Sequence, residues 1–516
     1  MEDKQKAQIT LATLVAAPIA AWLIVAKLVY GFTPQTVRTS LGHLIRETPH
    51  LWPLWSALIG GLALAIGGLI VGFRLNEQTF AGAQFLKFYR GTELVTAAAL
   101  ARKTRKTNIR QITIAGVPMP VKAERTHVSL GGSTGVGKST ILKEMMVGCL
   151  ERQDRMVILD PDGEFLSTFY KTGDKILNPY DSRTEGWSFF NEIREDYDFE
   201  RYARSIVQQS DSADSEEWND YGRLLFSEVA RKVYNTSRNP SMREVFSWTN
   251  GRTMEELEAF VEGTNAQALF TGNARASGSA RFVLSNKIPP HLKMPEGSFS
   301  LRDWLADPNG GNLFITWDEN MRAALRSLIS CWVDSVFSSV LGMKADDKRR
   351  VWTYLDELES LAKLPTLGDA LTKGRKKGLC VVSGYQTYSQ LVKVYGEQMA
   401  ETMLANHRTV VAMGIGRMGE VTAEKMSRAL GQHEVMRKRS GSSRRFGQMG
   451  TSSENEEIRP ERVVMPSELM RLPDLQGYLA FPGDLPIAKF EIEHVNYQRS
   501  RSIPGILTPD GEILGA

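Results

Sequence analysis

The run GGSTGVGKST, Gly131 to Thr140, has the residue types and spacing to hold a nucleoside triphosphate. Gly132, Ser133, Thr134, Gly135, Val136, Gly137, Lys138 and Ser139 fit G-x-x-x-x-G-K-S, in which glycines let successive backbone N–H groups turn inward around phosphate oxygens. Lys138 is expected to reach the β and γ phosphates of ATP and Ser139 to give its hydroxyl oxygen to Mg2+. The helix opening at Thr140 would point its positive end at the anion. A second cluster follows in VWTYLDELES. Its apolar residues would carry a buried strand to Asp356, a candidate to hold Mg2+ through its water shell, and to Glu357, a candidate to orient or deprotonate the attacking water. Adjacent carboxylates on a strand point to opposite faces, which lets each take a separate task.

Two further residues extend the hydrolytic set. Gln386, ending a strand in SGYQTYSQL, could sense the γ phosphate, and it reads equally well as a loop hydrogen-bonder. Arg375 in LTKGRKKGL falls just after a helix and just before a strand; an arginine finger is worth about 10³ to 10⁵ in rate. Supplied in trans, it requires a ring of subunits. Lys373, Lys376 and Lys377 beside it could face a nucleic acid or simply keep the surface soluble.

These residues need a scaffold, and the pattern around them describes one. ERTHVSL before the glycine loop reads as a strand and ILKEMMVGCLE after it as a helix. RMVILD, NLFITW, RVWTYLDE, GLCVVSGYQ and RTVVAMGIG are short, Val- and Ile-rich runs, with helical patterns such as MRAALRSLISCWVDSVFSSVL between them. That alternation predicts an α/β fold, a mostly parallel sheet covered by helices on both faces. GYLAFPGDLPIAKFEIE, Gly477 to Glu493, predicts a hairpin extending one edge. From about Thr184 to Ser298 the strand pattern stops. FERYARSIVQQ places Phe199, Tyr202, Ile206 and Val207 on one helical face, and Thr253 to Glu256 reads as a capping box. The domains expected are a membrane anchor over 1–75, a nucleotide-binding domain from 76–183 plus 299–516, and an all-α inserted domain over 184–298. The acidic DSADSEE, Asp211 to Glu217, is expected to be a solvated loop; the basic run Arg102–Lys106 reads as a solvated loop or as a contact for lipid headgroups or nucleic acid, and Arg437–Arg445 as a flexible basic loop in preference to a DNA contact.

Leu11–Phe32 is apolar apart from Thr13 and Lys27, and Leu54–Phe73 runs twenty residues without a charge. About twenty residues at 1.5 Å each cross a hydrocarbon core of about 30 Å, so two transmembrane helices are expected, at about 11–32 and 54–73. Trp22, Tyr30, Trp52 and Trp55 sit where interfacial anchors belong, and Gly68-x-x-x-Gly72 would permit close helix contact. Glu2 and Asp3 argue against a cleavable signal peptide. Lys4 and Lys6 balance Arg38 and Arg46, so orientation follows from the nucleotide: ATP is cytosolic, which puts both ends inside and Thr33–Pro53 outside. A net charge of +4 over 516 residues does not by itself call for a nucleic-acid partner. Three cysteines with no C-x-x-C spacing point to buried thiols in a reducing compartment.

Two N-terminal spans, GSTGVGKST, ILDPDGEF, an all-helical insertion, YLDELESL, TKGRKKGL and GYQTYSQL, in that order, resemble the type IV coupling proteins of bacterial conjugation over nearly the whole chain. The resemblance implies a RecA-like P-loop NTPase on the bacterial inner membrane, a homohexamer coupling ATP hydrolysis to the movement of single-stranded DNA and its relaxase into a type IV secretion channel. It assigns Lys138 and Ser139 to the phosphate loop, Asp356 and Glu357 to the second acidic motif, Arg375 to the finger and Gln386 to the sensor. The chain ends at GEILGA without the long acidic tail of some relatives, which weakens the expectation of accessory-protein recruitment by that route. Competing readings are an FtsK- or HerA-like translocase of duplex DNA, a receptor ATPase for protein substrates alone, and a docking module that binds ATP only to assemble.

Overall fold

The computed structural model describes residues 3–31, 45–46, 48–76, 87–210, 213–271, 274–443, 451–495, 497, 505–510 and 513–514. The chain forms two compact units, Met1–Gln84 and Phe85–Ala516.

The first unit holds helices α1 (Asp3–Tyr30) and α2 (Trp52–Asn76). Each contains an 18-residue window long and apolar enough to cross a membrane, Ala12–Val29 and Trp52–Leu69. Their contact is not the one expected from Gly68. A Cβ on Gly68 would meet nothing within 4 Å, whereas one on Gly61 would come within 2.8 Å of the Pro18 Cα and 2.9 Å of the Ala21 Cβ. Small residues mark the seam only on the face turned to the partner helix, and Gly61 with buried Ala65 lies on that face. Trp22 is likewise buried, beside Ala26 and Leu54, and its Nε1–H donates to Thr48 Oγ1 at 3.2 Å. It packs between helices, while Trp52 and Trp55 are exposed. Residues 33–44 of the expected outside loop, Arg38 among them, fall outside the described residues.

The second unit begins with β1 (Lys87–Gly91), β2 (Leu94–Thr96), helix α3 (Ala97–Thr104) and a small pair, β3 (Thr113–Ile114) and β4 (Val117–Pro118). Arg102, Lys103 and Thr104 therefore close a helix, and only Arg105 and Lys106 continue outside it. The main sheet then assembles from β5 (Val128–Gly131), β6 (Arg155–Pro161), β7 (Lys175–Leu177), β8 (Leu313–Trp317), β9 (Val351–Leu355), β10 (Leu379–Tyr385) and β11 (Thr409–Met413). A long pair follows, β12 (Gln432–Ser443) and β13 (Thr451–Arg462). The last strands are β14 (Gln476–Ala480), β15 (Ile487–Glu491), β16 (Ile506–Leu507) and β17 (Ile513–Leu514).

The ten-stranded order is β2-β15-β14-β11-β5-β10-β9-β6-β8-β7. The seven strands from β11 to β7 pair in parallel, and β14 alone runs against its neighbours. The hairpin at Pro482 thus joins the sheet as expected, with β2 added beyond it. Period-two alternation divides each strand between two cores. Met156, Ile158, Trp352, Tyr354 and Val382 pack with Ile141 and Met145 of helix α4 (Lys138–Arg152). Val157, Leu159, Val351, Leu355 and Val381 pack on the opposite face, with the helices that follow. Strands buried on both faces need apolar residues at every position, which is why these runs read as continuous and not alternating.

Beyond α5 (Glu164–Phe169), the described residues from Thr184 to Ser298 form helices and irregular chain, with one isolated bridge from Trp187 to Phe299. In α6 (Tyr197–Ile206) Phe199, Tyr202 and Ile206 are buried, as is Val207 just beyond it. The acidic patch is not a loop: from Ala213 it forms the start of α7 (Ala213–Thr236), while Asp211 and Ser212 lie outside the described residues. Glu216 accepts from the Ser210 N–H at 2.6 Å and pairs with Arg223 at 2.7 Å. Carboxylates early in a helix favour its positive end, so this acidity marks a helix start. The capping box of α8 (Met254–Val261) is complete, with Thr253 Oγ1 accepting from the Glu256 N–H and Glu256 Oε2 from the Thr253 N–H.

Helix α9 (Arg322–Gly342) lies in a third stretch long and apolar enough to span a membrane, Glu319–Gly342. Of that stretch 78% is buried, against 11% and 17% of the two N-terminal windows, so α9 is a core helix of the second unit. Two shorter helices complete the surroundings of the site, α10 (Leu367–Lys373) and α11 (Tyr388–Tyr395).

The basic run from Arg437 also departs from expectation. It is the far half of β12, and Arg444 and Arg445 lie outside the described residues. Its partner is the next strand: β13 sets Glu457 opposite Arg437 and Glu456 opposite Lys438, and Arg437 binds Glu461 through two bonds of 2.7 Å. Opposite charges across a ladder stabilise the pairing that isolated basic residues would resist.

Candidate nucleotide site

Four strands deliver the site at their C-terminal ends. β5 lies between β10 and β11, and β10 separates it from β9. The glycine loop therefore leaves one strand, the acidic turn leaves the next but one, and Gln386 follows the strand between them.

The loop is tied to its neighbours by backbone bonds. The Gly132 N–H donates to Tyr385 O at 3.2 Å and the Ser133 N–H to Gly414 O at 2.9 Å. Ser133 Oγ accepts from the Gly416 N–H at 2.9 Å. Gly135 and Gly137 have φ of 82° and 103°, where a side chain is strained. Thr134 and Gly135 are exposed. Val136 is buried and its carbonyl accepts from the Leu475 N–H, so it serves the loop through its backbone. Helix α4 opens at Lys138, two residues before Thr140, with Ser139 and Thr140 in its first turn. Lys138 is 8% exposed, and its Nζ donates to the carbonyls of Gly132 at 2.7 Å and Ser133 at 3.0 Å. Burial lowers its pKa, with Asp356, Glu359 and Glu357 pulling the other way.

Asp356 and Glu357 begin the turn after β9. Asp356 Oδ2 accepts from Ser139 Oγ at 3.4 Å, and Oδ1 is buried with no hydrogen-bond partner among the described residues. Burial raises the Asp356 pKa to about 6 against the attraction of Lys138. Glu357 Oε1 accepts from Gln386 Nε2 at 2.6 Å, and Arg322 Nη1 stands 3.9 Å from Oε2. The structure thus brings together Lys138, Ser139, Asp356, Glu357 and Gln386. Gly384 of β10 makes this possible, because a Cβ there would overlap the Asp356 carbonyl oxygen.

Arg375 is not part of this cluster. It sits in the 3-10 turn Gly374–Lys377, before the first residue of β10, whereas the nucleotide site lies past the last. Seven strand residues at about 3.3 Å each separate the two ends by roughly 20 Å. It acts instead on buried His127, just before β5, whose pKa is lowered to about 3, chiefly by burial and then by His407 and Arg375.

Three site residues escape motif reading. Glu359 Oε1 accepts from the Gln386 N–H at 2.8 Å while Oε2 is buried and unpartnered; burial raises its pKa. Arg322 reaches Glu357 from the first residue of α9. Asp160, fully buried, accepts from the N–H groups of Phe165 at 2.9 Å and Leu166 at 2.6 Å, and burial raises its pKa to about 7. The DELES run carried a signal for Glu359, since a third carboxylate close to a strand end is unusual; nothing local marked Arg322.

A phosphate cradle, a buried ammonium, and a hydroxyl facing a carboxylate with an unpartnered oxygen suit a Mg2+–triphosphate, whose cation takes hard oxygen ligands and keeps several waters. Fold and site define a RecA-like P-loop NTPase. Residues 111–493 match the family described as type IV secretion-system coupling protein DNA-binding domain, and the chain belongs to that family. It is 27% identical to the coupling protein TraD of Escherichia coli (strain K12), covering 89% of this chain and 66% of TraD. Among solved structures, the unbound monoclinic form of the bacterial conjugative coupling protein TrwBdeltaN70 is similar at 50% identity and a TM-score of 0.77, over 83% of this chain and 98% of that one. The plasmid coupling protein TrwB in complex with ADP and Mg2+ is similar at 49% identity and the same TM-score, over 83% of this chain and 99% of that one.

Proposed function

We propose that this chain is a membrane-anchored, DNA-stimulated ATPase motor that couples a relaxase–DNA complex to a type IV secretion channel and drives single-stranded DNA during conjugation. The observation that carries this is the meeting of Lys138, Ser139, Asp356, Glu357 and Gln386 at the strand ends, in a chain 49% identical to a plasmid coupling protein solved with ADP and Mg2+.

ATP with Mg2+ supplies the scissile γ phosphate. Loop N–H groups and Lys138 would bind the phosphates, and Ser139 and Asp356 would hold the cation. Glu357 orients and deprotonates the attacking water, and Gln386 reads whether the γ phosphate is present. Arg375 serves the neighbouring subunit's site, which its distance from its own site favours and which requires a ring of subunits, a homohexamer in this reading. The two apolar helices anchor the chain in the bacterial inner membrane with both ends in the cytoplasm. Residues 76–183 with 299–516 act as the motor domain and 184–298 as an all-α insertion. DNA is held mainly through phosphates, because a pump must accept any sequence.

The test is a paired assay of ATP turnover and plasmid transfer for Lys138→Thr, with membrane insertion verified. Loss of both supports the motor; retention of both removes it. Purified protein whose turnover ignores single-stranded DNA at low salt would remove the DNA-driven part and favour a receptor for protein substrates.

A further inference from the structure

Past Glu357 and Gln386 the second unit opens a groove of about 850 Å³, toward the upper end of the range of about 300–1,000 Å³ common for ligand clefts. Its floor is the acidic turn, and its walls come from α9, α11 and the helical insertion. Three carboxylates line it and each is engaged: Glu319 pairs with Arg322 at 2.9 Å, Glu357 takes the Gln386 side chain and Glu359 the Gln386 N–H. Lys287, Arg326, Lys363 and Lys393 also line it, and among the described residues none of these four is ion-paired to a carboxylate.

Arg326 Nη2 donates to the Leu361 carbonyl at 2.6 Å, which satisfies a donor and leaves the charge without a carboxylate among the described residues. The pKa values of Lys287 and Arg326 are both lowered by burial, with Arg326 and Arg223 pressing on Lys287 and Arg322 on Arg326. Holding such cations close together costs free energy that a bound polyanion would return. The walls also belong to the parts that touch Glu357. Helix α9 carries Arg322 and Arg326, and α11, which starts just after Gln386, carries Lys393.

We propose that this groove is a phosphodiester subsite, seating a short stretch of single-stranded DNA backbone against Lys287, Arg326, Lys363 and Lys393 and so setting how Glu357 is held. The inference rests on the motor reading and adds where the stimulating strand is sensed. A strand drawn onto Lys393 and Arg326 acts on α11 and α9, the first of which follows Gln386 and the second of which opens at Arg322, the two residues set around Glu357. The backbone is read by charge alone, which suits a motor indifferent to sequence.

The experiment uses the full-length protein in detergent and a fluorescein-labelled oligothymidine, with anisotropy and ATP turnover measured across a KCl series. The triple variant Lys287→Ala/Lys363→Ala/Lys393→Ala is expected to keep its DNA-free turnover and lose most of the stimulation. Its binding should weaken about tenfold at low salt. The salt slope should become shallower by about 2, for three phosphate contacts at about 0.7 each. Lys393→Glu alone, at an exposed position, should reproduce the direction if the triple variant folds poorly. Unchanged stimulation and slope would overturn the proposal, as would an equal loss of turnover and assembly with and without DNA, which would make the groove a contact between subunits. Wild-type protein indifferent to DNA at every salt would overturn the motor reading itself and this inference with it.

Discussion

Glu357 is engaged at both oxygens, by Gln386 at 2.6 Å and by Arg322 at 3.9 Å, so its carboxylate has a defined direction before any water arrives. Glu357→Gln keeps the shape and removes the base. Fluorescent-nucleotide binding should survive, and single-turnover hydrolysis should fall by about 10² to 10⁴, the usual worth of a positioned general base. Asp356 makes a prediction about pH. Its pKa is raised to about 6, so the metal-free fold holds the proton more tightly than the unfolded chain does. Its contribution to stability therefore declines as pH climbs from the ordinary carboxylate range through about 6. Cation binding needs the ionised form. Mg2+–ADP affinity, measured by calorimetry, should fall as pH drops below about 6, with proton release appearing as a dependence on the buffer's heat of ionisation at pH 6 and vanishing at pH 8. These residues were largely legible in the sequence, because the glycine loop and the strand-end acids act through neighbours a few positions away. Arg322 was not, since its role comes from a helix that folds back from another part of the chain.

Elements show the same division. The strands around the site could be read because each is buried on both faces. The pairing of β12 with β13 could not, because the carboxylate that accepts Arg437, Glu461, lies 24 residues further along the chain. The seam between α1 and α2 could be placed at Gly61 only once the facing Pro18 and Ala21 were known, and a glycine spacing alone pointed to Gly68. The crossing of β10 with the acidic turn supplies a sharp prediction. In Gly384→Ala the new methyl would collide with the Asp356 carbonyl, so the turn must shift. Turnover should drop at least tenfold, with about 1–3 kcal/mol lost in denaturant unfolding, the usual cost of overpacking. Unchanged turnover would mean that the acid pair is not held by this approach. Arg437→Ala, at a half-exposed ion pair, should cost no more than about 1 kcal/mol by the same unfolding measurement.

For the whole molecule, the position of Arg375 before β10, with the nucleotide site past its end, turns a question about one residue into one about assembly. If neighbouring subunits complete each other's sites, Arg375→Ala and Lys138→Thr chains, each inactive alone, should regain part of the ATP turnover when mixed. A ring that stays inactive on mixing would show that the finger is another residue. The buried helix α9 bears on how the chain is made. As it leaves the ribosome, Glu319–Gly342 offers the insertion machinery a third apolar stretch of adequate length. Asp334 stands well inside it, where it later accepts from Ser205 Oγ and the Thr366 N–H. A carboxylate at the centre of a nascent span costs about 2.5–3.5 kcal/mol to insert, so the side chain that will join the core also disfavours entry of this segment into the bilayer.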